Sequence, residues 1–212
     1  MKNVDDLIES ATDLADSGFS HGEIADELNV SRETAKWLVS RGTGTESSVD
    51  DGAGRPSRDD IHVDWSALGR DSARLSYTGM AMADLLSKEG EAVDLTVGIE
   101  KAGTPLATVV ARELDTDIAA YAPRKHQWEE GDMAELDGAY SQNFADIRDR
   151  ECYVVDDTIT SGTTMRETIE GIQERGGTPV AGVVLVDKRG IDAIDDVPIF
   201  SLVKAIRVGA TS

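Results

Sequence analysis

The segment CYVVDDTITSGTTMRETIEGI, residues 152–172, gathers the side chains best suited to chemistry. An apolar run ends at two adjacent carboxylates, Asp156 and Asp157, which can accept hydrogen bonds from a vicinal diol. Just beyond them Thr160, Ser161, Gly162, Thr163 and Thr164 offer hydroxyls and backbone N–H groups where a helix begins. The helix dipole and its unpaired amides favour an anion there. Diol acceptors beside a phosphate cradle fit a ribose phosphate or another sugar phosphate. The spacing is neither the G-x-x-x-x-G-K-[ST] of a Walker loop nor the G-x-G-x-x-G of a dinucleotide turn. The plain alternative is a capped βα turn that happens to carry surface acids.

Such a site needs elements to hold it. From about residue 62 the pattern predicts a helical stretch near 70–88, an apolar strand over 93–99 and a helix over 104–114. Thr104 would be the cap of that helix and Pro105 its first residue. A strand over 117–121, a long loop, a strand over 152–155 and a further helix complete it. Strands and helices interleaved in this way predict an α/β fold with a mainly parallel sheet over residues 62–212.

Residues 152–172 resemble the phosphoribosyl pyrophosphate signature of type I phosphoribosyltransferases. The resemblance implies that Asp156 and Asp157 contact ribose hydroxyls and that Thr160 to Thr164 hold the 5′-phosphate. Thr158 stands where that family more often has an aliphatic residue. GIEKAGTPLA, residues 98–107, resembles the family's pyrophosphate loop, which implies an anion site on the amides of Lys101, Ala102 and Gly103, with the acid Glu100 beside it. YAPRK, residues 121–125, resembles the point where orotate phosphoribosyltransferases enter a mobile catalytic loop, with Arg124 and Lys125 as lid cations. Where that group offers another Lys and a His, this chain has Trp128 and Glu130, and His126 falls out of register. From Ala122 to Asp146 Arg124 and Lys125 face Glu129, Glu130, Asp132, Glu135, Asp137 and Asp146. An acidic lid would destabilise negative charge building on a departing pyrophosphate, so no catalytic residue is assigned and the reading leans away from an enzyme.

The N-terminal residues follow a different pattern. Val4, Leu7, Ile8, Ala11, Leu14 and Ala15 recur at helical spacing and Gly18 ends the run. Ser20 and Glu23 have the spacing of a capping box. Ile24, Ala25 and Leu28 would face inward from a second helix. Asn29 and Val30 make a turn, and Ser31 caps a third helix carrying Ala35, Leu38 and Val39 to the same core. GFSHGEIADELNVSRETAKWLVSR resembles bacterial and archaeal helix-turn-helix DNA-binding domains. That implies a DNA-binding domain over residues 1–45, with Ser31, Arg32 and Lys36 at base edges, Arg41 on phosphate, and Trp37 against sugar or a partner. A three-helix interaction module that meets no DNA is the alternative. Residues 46–61, rich in Gly, Ser and Asp, read as a linker or small wing.

Charge qualifies the DNA reading. The 212 residues carry 41 Asp and Glu against 21 Lys and Arg, a net charge of −20, which excludes a freely basic nucleic-acid binder. The excess is what a protein working in concentrated salt would carry, where the Debye length falls to about 3 Å at 1 M, with an ordinary acidic cytosolic protein as the alternative. The third helix alone is positive, with Arg32, Lys36 and Arg41 against Glu33. One cysteine, Cys152, and three scattered histidines, His21, His62 and His126, leave no zinc or disulfide framework. No metal ligand and no required cofactor are assigned, although Mg²⁺ could accompany a phosphorylated ligand. The acidic start MKNVDDLIES and the lack of a long apolar run predict a cytoplasmic protein without a membrane segment.

Taken whole, the chain resembles the haloarchaeal orotate phosphoribosyltransferase-like transcriptional regulators of sugar catabolism. The resemblance implies promoter DNA as one partner and, as the other, a small phosphorylated metabolite: a sugar phosphate, phosphoribosyl pyrophosphate or a nucleotide. It also implies a homodimer. The rival readings are a working orotate phosphoribosyltransferase using Mg²⁺ and a purine- or nucleotide-responsive repressor.

Overall fold

The computed structural model describes residues 3–44, 61–123, 139–140 and 143–205. They divide into two compact units that meet in sequence at Trp65 and Ser66. The linker residues 46–60 lie outside the described residues.

The first unit is built on three helices, α1 (Val4–Asp16), α2 (His21–Glu27) and α3 (Arg32–Gly42). Each starts on a side chain that accepts from the first turn: Asn3 Oδ1 from the Asp6 N–H, Ser20 Oγ from Glu23, and Ser31 Oγ from Thr34. In α1 and α2 the acid at the third position returns the bond to the cap's own N–H, closing two capping boxes. Gly18, at φ 88°, and Asn29, at φ 51°, turn the chain between the helices in the left-handed region that their residue types tolerate. Leu7, Ala11, Ile24, Ala25, Leu28, Val30, Ala35 and Leu38 form the core, with Ile8, Leu14, Ala15 and Val39 partly buried around it. Val4 departs from expectation. It is the first residue of α1 and is 57% exposed. His62 belongs to this unit, its Nδ1 lying 2.6 Å from the Leu28 carbonyl oxygen at the end of α2.

The second unit is a sheet covered on both faces. After a single helical turn, α4 (Ser66–Gly69), come α5 (Ser72–Glu89), β1 (Leu95–Ile99), α6 (Gly103–Leu114), β2 (Asp117–Ala122) and β3 (Ala139–Tyr140). Then follow β4 (Glu151–Ile159), α7 (Thr163–Glu174), β5 (Thr178–Asp187), β6 (Ala193–Ile194) and β7 (Val197–Lys204). The strand order is β3-β2-β1-β4-β5-β7-β6. The five inner strands run parallel, and the short edges β3 and β6 pair antiparallel. Asp195 and Asp196, at φ 47° and 70°, make the two-residue turn between β6 and β7.

One apolar layer packs Met165, Ile169 and Ile172 of α7 against Val97, Cys152, Val154 and Val184. The other packs Met82 and Leu86 of α5 and Leu106 and Val110 of α6 against Tyr153, Val155 and Val183. Tyr153 also donates its hydroxyl hydrogen to the Glu91 carbonyl oxygen.

Three element boundaries differ from expectation. β1 begins at Leu95 rather than Val93, because Val93 and Asp94 precede the register in which Leu95 pairs with Asp117 and Cys152. β4 continues through the acid pair to Ile159, since β5 keeps pairing with it as far as Ile159 opposite Asp187. α6 begins at Gly103 with Ala102 as cap residue and no capping side chain, so Thr104 is not the cap and Pro105 is the third residue. A proline fits there because the first-turn N–H groups have no partner within the helix.

Candidate functional site

Topology places the site before any side chain is considered. From β1 the chain crosses through α6 to β2 on one side, and from the adjacent β4 it crosses through α7 to β5 on the other. Neighbouring strands whose crossovers diverge leave a crevice at their carboxyl ends, where open α/β sheets bind ligands. The 101–103 loop follows β1 into this crevice and the 160–164 loop follows β4.

The two loops touch through backbone. A Cβ built on Gly103 would lie 2.5 Å from the Val155 carbonyl oxygen, 2.9 Å from Asp156 Cα and 3.0 Å from Asp156 Oδ1. Only glycine lets the start of α6 come this close to β4. The pyrophosphate-like loop and the acid pair, more than fifty residues apart in sequence, are thereby brought together. The Glu100–Lys101 peptide is cis, Lys101 is exposed and Ala102 half-buried.

Within β4 the acid pair is split. Neighbours on an extended strand project to opposite faces. Asp156 is half-buried, whereas Asp157 is only 9% exposed. The Asp157 N–H donates to Asp156 Oδ1 at 2.9 Å, and Thr158 Oγ1 donates to Asp157 Oδ2 at 3.2 Å. Thr158 thus acts as a hydrogen-bond partner of the second carboxylate, a role an aliphatic side chain could not fill.

Beyond Ile159 the chain turns through Thr160, Ser161 and Gly162. Gly162 adopts φ 77°, which a side chain would strain, and a Cβ there would also press on Ile194 and Ile191. The Ser161 and Thr163 hydroxyls lie 2.9 Å apart, and the Thr163 N–H reaches Ser161 Oγ at 3.4 Å. Ser161 and Thr163 are exposed, while Thr160 and Thr164 are half-buried.

Helix capping separates this region from the rest of the chain. α1, α2, α3 and α5 each begin on an accepting side chain: Asn3, Ser20, Ser31 and Asp71. α6 and α7, the two helices that start at the crevice, have no side-chain cap. A helix start without a capping side chain is a place where an anion can accept from backbone amides.

Three residues near this edge, Thr104 among them as an expected helix cap only, carry no site role in the sequence. Thr104 Oγ1 is buried without a hydrogen-bond partner. Asp187, fully buried at the end of β5, accepts from the N–H groups of Arg189, Gly190 and Ile191. Lys188, 6% exposed, holds its backbone N–H on the Ile159 carbonyl oxygen. The run VVLVDK ends β5 much as VVDD interrupts β4, and that likeness is the signal that could have found the last two.

Two further sets of expected residues belong to other segments of the sequence. The lid, with Arg124, Lys125, His126, Trp128 and Glu130, lies outside the described residues. In the first unit Arg32 and Lys36 are exposed on α3, and the Ser31 hydroxyl is committed to Thr34, accepting from its N–H and donating to its Oγ1 at 3.0 Å. The Arg41 guanidinium lies over the half-buried Trp37 ring, 5.5 Å from its centroid. Among the described residues no three His, Cys, Asp or Glu side chains gather where they could hold a metal ion, and no helix is long and apolar enough to cross a membrane.

Comparison with known proteins agrees with this geometry. The family described as "Phosphoribosyl transferase domain" matches residues 64–206. The chain is 67% identical over 209 residues to "Transcriptional regulator GfcR" of Haloquadratum walsbyi, covering 98% of this chain and 95% of that one. It is 67% identical over 208 residues to the protein of the same name in Halorubrum lacusprofundi, covering 98% of each. Among solved structures, the orotate phosphoribosyltransferase from Aeropyrum pernix aligns with a TM-score of 0.56 at 22% identity, over 79% of this chain and 92% of that one. At that identity the likeness speaks for the fold alone. From residue 64 onward the chain is a member of the phosphoribosyl transferase domain family, and over nearly its whole length it belongs to the GfcR family of transcriptional regulators.

Proposed function

We propose that the protein is a DNA-binding regulator of sugar-catabolic genes that senses a small phosphorylated metabolite in its phosphoribosyltransferase-like crevice. The observation that carries this reading is the near full-length likeness to proteins named as transcriptional regulators, which spans the three-helix unit and the crevice together. A family likeness confined to the sheet domain would have left a transferase as the simpler conclusion.

In this reading the crevice binds without reacting. The uncapped starts of α6 and α7 offer amides to phosphate groups. Ser161, Thr163 and Thr164 add hydroxyls, and the Asp156 carboxylate accepts from a sugar hydroxyl. Mg²⁺, if it takes part, arrives on the ligand's own phosphates. The three-helix unit acts as a helix-turn-helix domain, with α3 in the major groove and Arg32 and Lys36 at base edges. A homodimer would present two such units to paired half-sites. The ligand changes DNA affinity only to the extent that it binds the DNA-competent and DNA-incompetent states unequally.

The experiment is fluorescence anisotropy of labelled promoter fragments from sugar-degradation genes in molar KCl, titrated with protein alone and with phosphoribosyl pyrophosphate, sugar phosphates or nucleotides. Specific binding that one phosphorylated compound shifts supports the proposal. Binding that none of them shifts removes the sensing half of it. An orotate turnover assay with phosphoribosyl pyrophosphate and Mg²⁺ is the counter-test: no product is expected, and robust product formation would install the rival enzyme.

A further inference from the structure

Helix α5 buries Met82, Ala83 and Leu86 in the sheet layer and lays Gly79 on α6, where a Cβ would come within 2.6 Å of Val109 Cβ. Its opposite face carries Ala73, Tyr77, Met80, Ala81 and Asp84, all exposed. At 3.6 residues per turn these positions form one stripe. Tyr77 is 69% and Met80 43% exposed, and these two large apolar side chains stand one turn apart on the same helix. Single exposed apolar residues need no explanation, whereas a contiguous patch marks an interaction site.

The charge of this segment sets it apart. From Arg70 to Glu89 the chain has Arg70, Arg74 and Lys88 against Asp71, Asp84 and Glu89, a balance of zero within a protein of net charge −20. The acid on the face that exposes Tyr77 and Met80 is Asp84, and Lys88 pairs with it at 2.7 Å, so that face carries no net charge.

We infer that this face of α5 is the contact between two copies of the chain, paired antiparallel about a two-fold axis between Tyr77 and Met80. The stripe is complementary to itself. Under that symmetry Tyr77 of each copy meets Met80 of the other, a sulfur–aromatic contact made twice. The small Ala73 and Ala81 let the helices approach. At the ends of the stripe Arg74 and Asp84 are already paired within their own copy, with Asp71 and Lys88, so neither brings an unbalanced charge to the contact. Two molecules of charge −20 repel over most of their surfaces, and a neutral apolar face is where they can close. A basic or an acidic partner would select a face of the opposite sign, which this one lacks. The inference deepens the homodimer reading proposed above and rests on it.

The test uses the full chain in molar KCl, with mass measured by light scattering on a sizing column. Wild type is expected at twice the chain mass. The double variant Tyr77→Glu/Met80→Glu is expected at the monomer mass, with unchanged circular dichroism because both side chains point to solvent. A second measurement fixes the register: an equimolar mixture of Tyr77→Cys and Met80→Cys should oxidise to a cross-linked dimer faster than either variant alone. A monomeric wild type would overturn both this inference and the homodimer reading. A double variant that stays dimeric, or a mixture that cross-links no faster than its components, would overturn this surface and leave the homodimer reading standing.

Discussion

Gly103 and Asp156 meet backbone to backbone: a Cβ on the first would lie 2.9 Å from the Cα of the second. This contact joins the two loops of the crevice and tolerates no added methyl group. Gly103→Ala should therefore push α6 away from β4, costing about 1–3 kcal/mol by overpacking and abolishing stabilisation by phosphoribosyl pyrophosphate. Gly22 in α2 is the control, because a Cβ there meets nothing nearer than Ser20 Oγ at 3.8 Å. Gly22→Ala should raise stability by up to about 1 kcal/mol through helix propensity. Thermal melts of both variants decide, and a Gly103→Ala protein as stable as Gly22→Ala would show that the close approach is not required.

The crevice itself is tested by Asp156→Asn combined with Thr163→Ala. These side chains are half-buried and exposed respectively, so the fold should survive. A ligand at about a hundred times its Kd stabilises by about 2.7 kcal/mol, and that shift should vanish in the double variant. Circular dichroism verifies folding and a melt with and without sugar phosphates reads the response. A response that persists would place the effector elsewhere on the molecule.

The Ser20–Glu23 capping box, the Gly18 stop and the acid-then-hydroxyl segment could be read from sequence because each is a local rule within a few residues. What could not be read depends on a distant strand. β4 runs on to Ile159 because β5 continues to pair with it, and Asp156 reads as a strand end only when that partner is ignored. α6 starts at Gly103 because Val155 and Asp156 leave room for nothing larger, whereas Thr104 and Pro105 mimic a start signal. β5 shows no alternation because both its faces are covered over most of its length. Asp187 carries no local signal in sequence, and three backbone donors from the following turn hold it inside. The Tyr77 and Met80 stripe was hidden in the other direction, since periodicity reports that a helix has an apolar face without saying which of two faces meets the core.

Cys152 provides a check on the core. Burial, and then the negative charge of Asp94, pushes its thiol up from the ordinary 9.0 to about 12. The folded chain therefore keeps a proton that the unfolded chain releases above pH 9, and stability attributable to this group falls as pH rises from about 9 towards 12. Below pH 9 both states are protonated and the group contributes no slope. The native protein should resist a thiol-specific disulfide reagent near pH 8 and react fully once denatured, since the thiolate is the nucleophile. Reaction of the native protein at the denatured rate would contradict the packing of β4 against α7.

Arg32 and Arg41 should affect DNA binding differently because of where they sit on α3. At 100° per residue Arg32 and Lys36 share one flank of the helix, whereas Arg41 is turned about 180° from Arg32 and lies on Trp37. With α3 in a major groove, one flank meets base edges and the other meets a phosphate strand. Arg32→Ala should cost about 1–3 kcal/mol on the specific promoter and relax discrimination at one base position. Arg41→Ala should weaken specific and random DNA alike and lower the salt slope by about one. Neither variant should lower stability appreciably, because both side chains are exposed. Anisotropy titrations over a series of KCl concentrations separate the two effects. Unchanged promoter affinity for Arg32→Ala would exclude it from base readout, and an unchanged salt slope for Arg41→Ala would remove that side chain from the phosphate backbone.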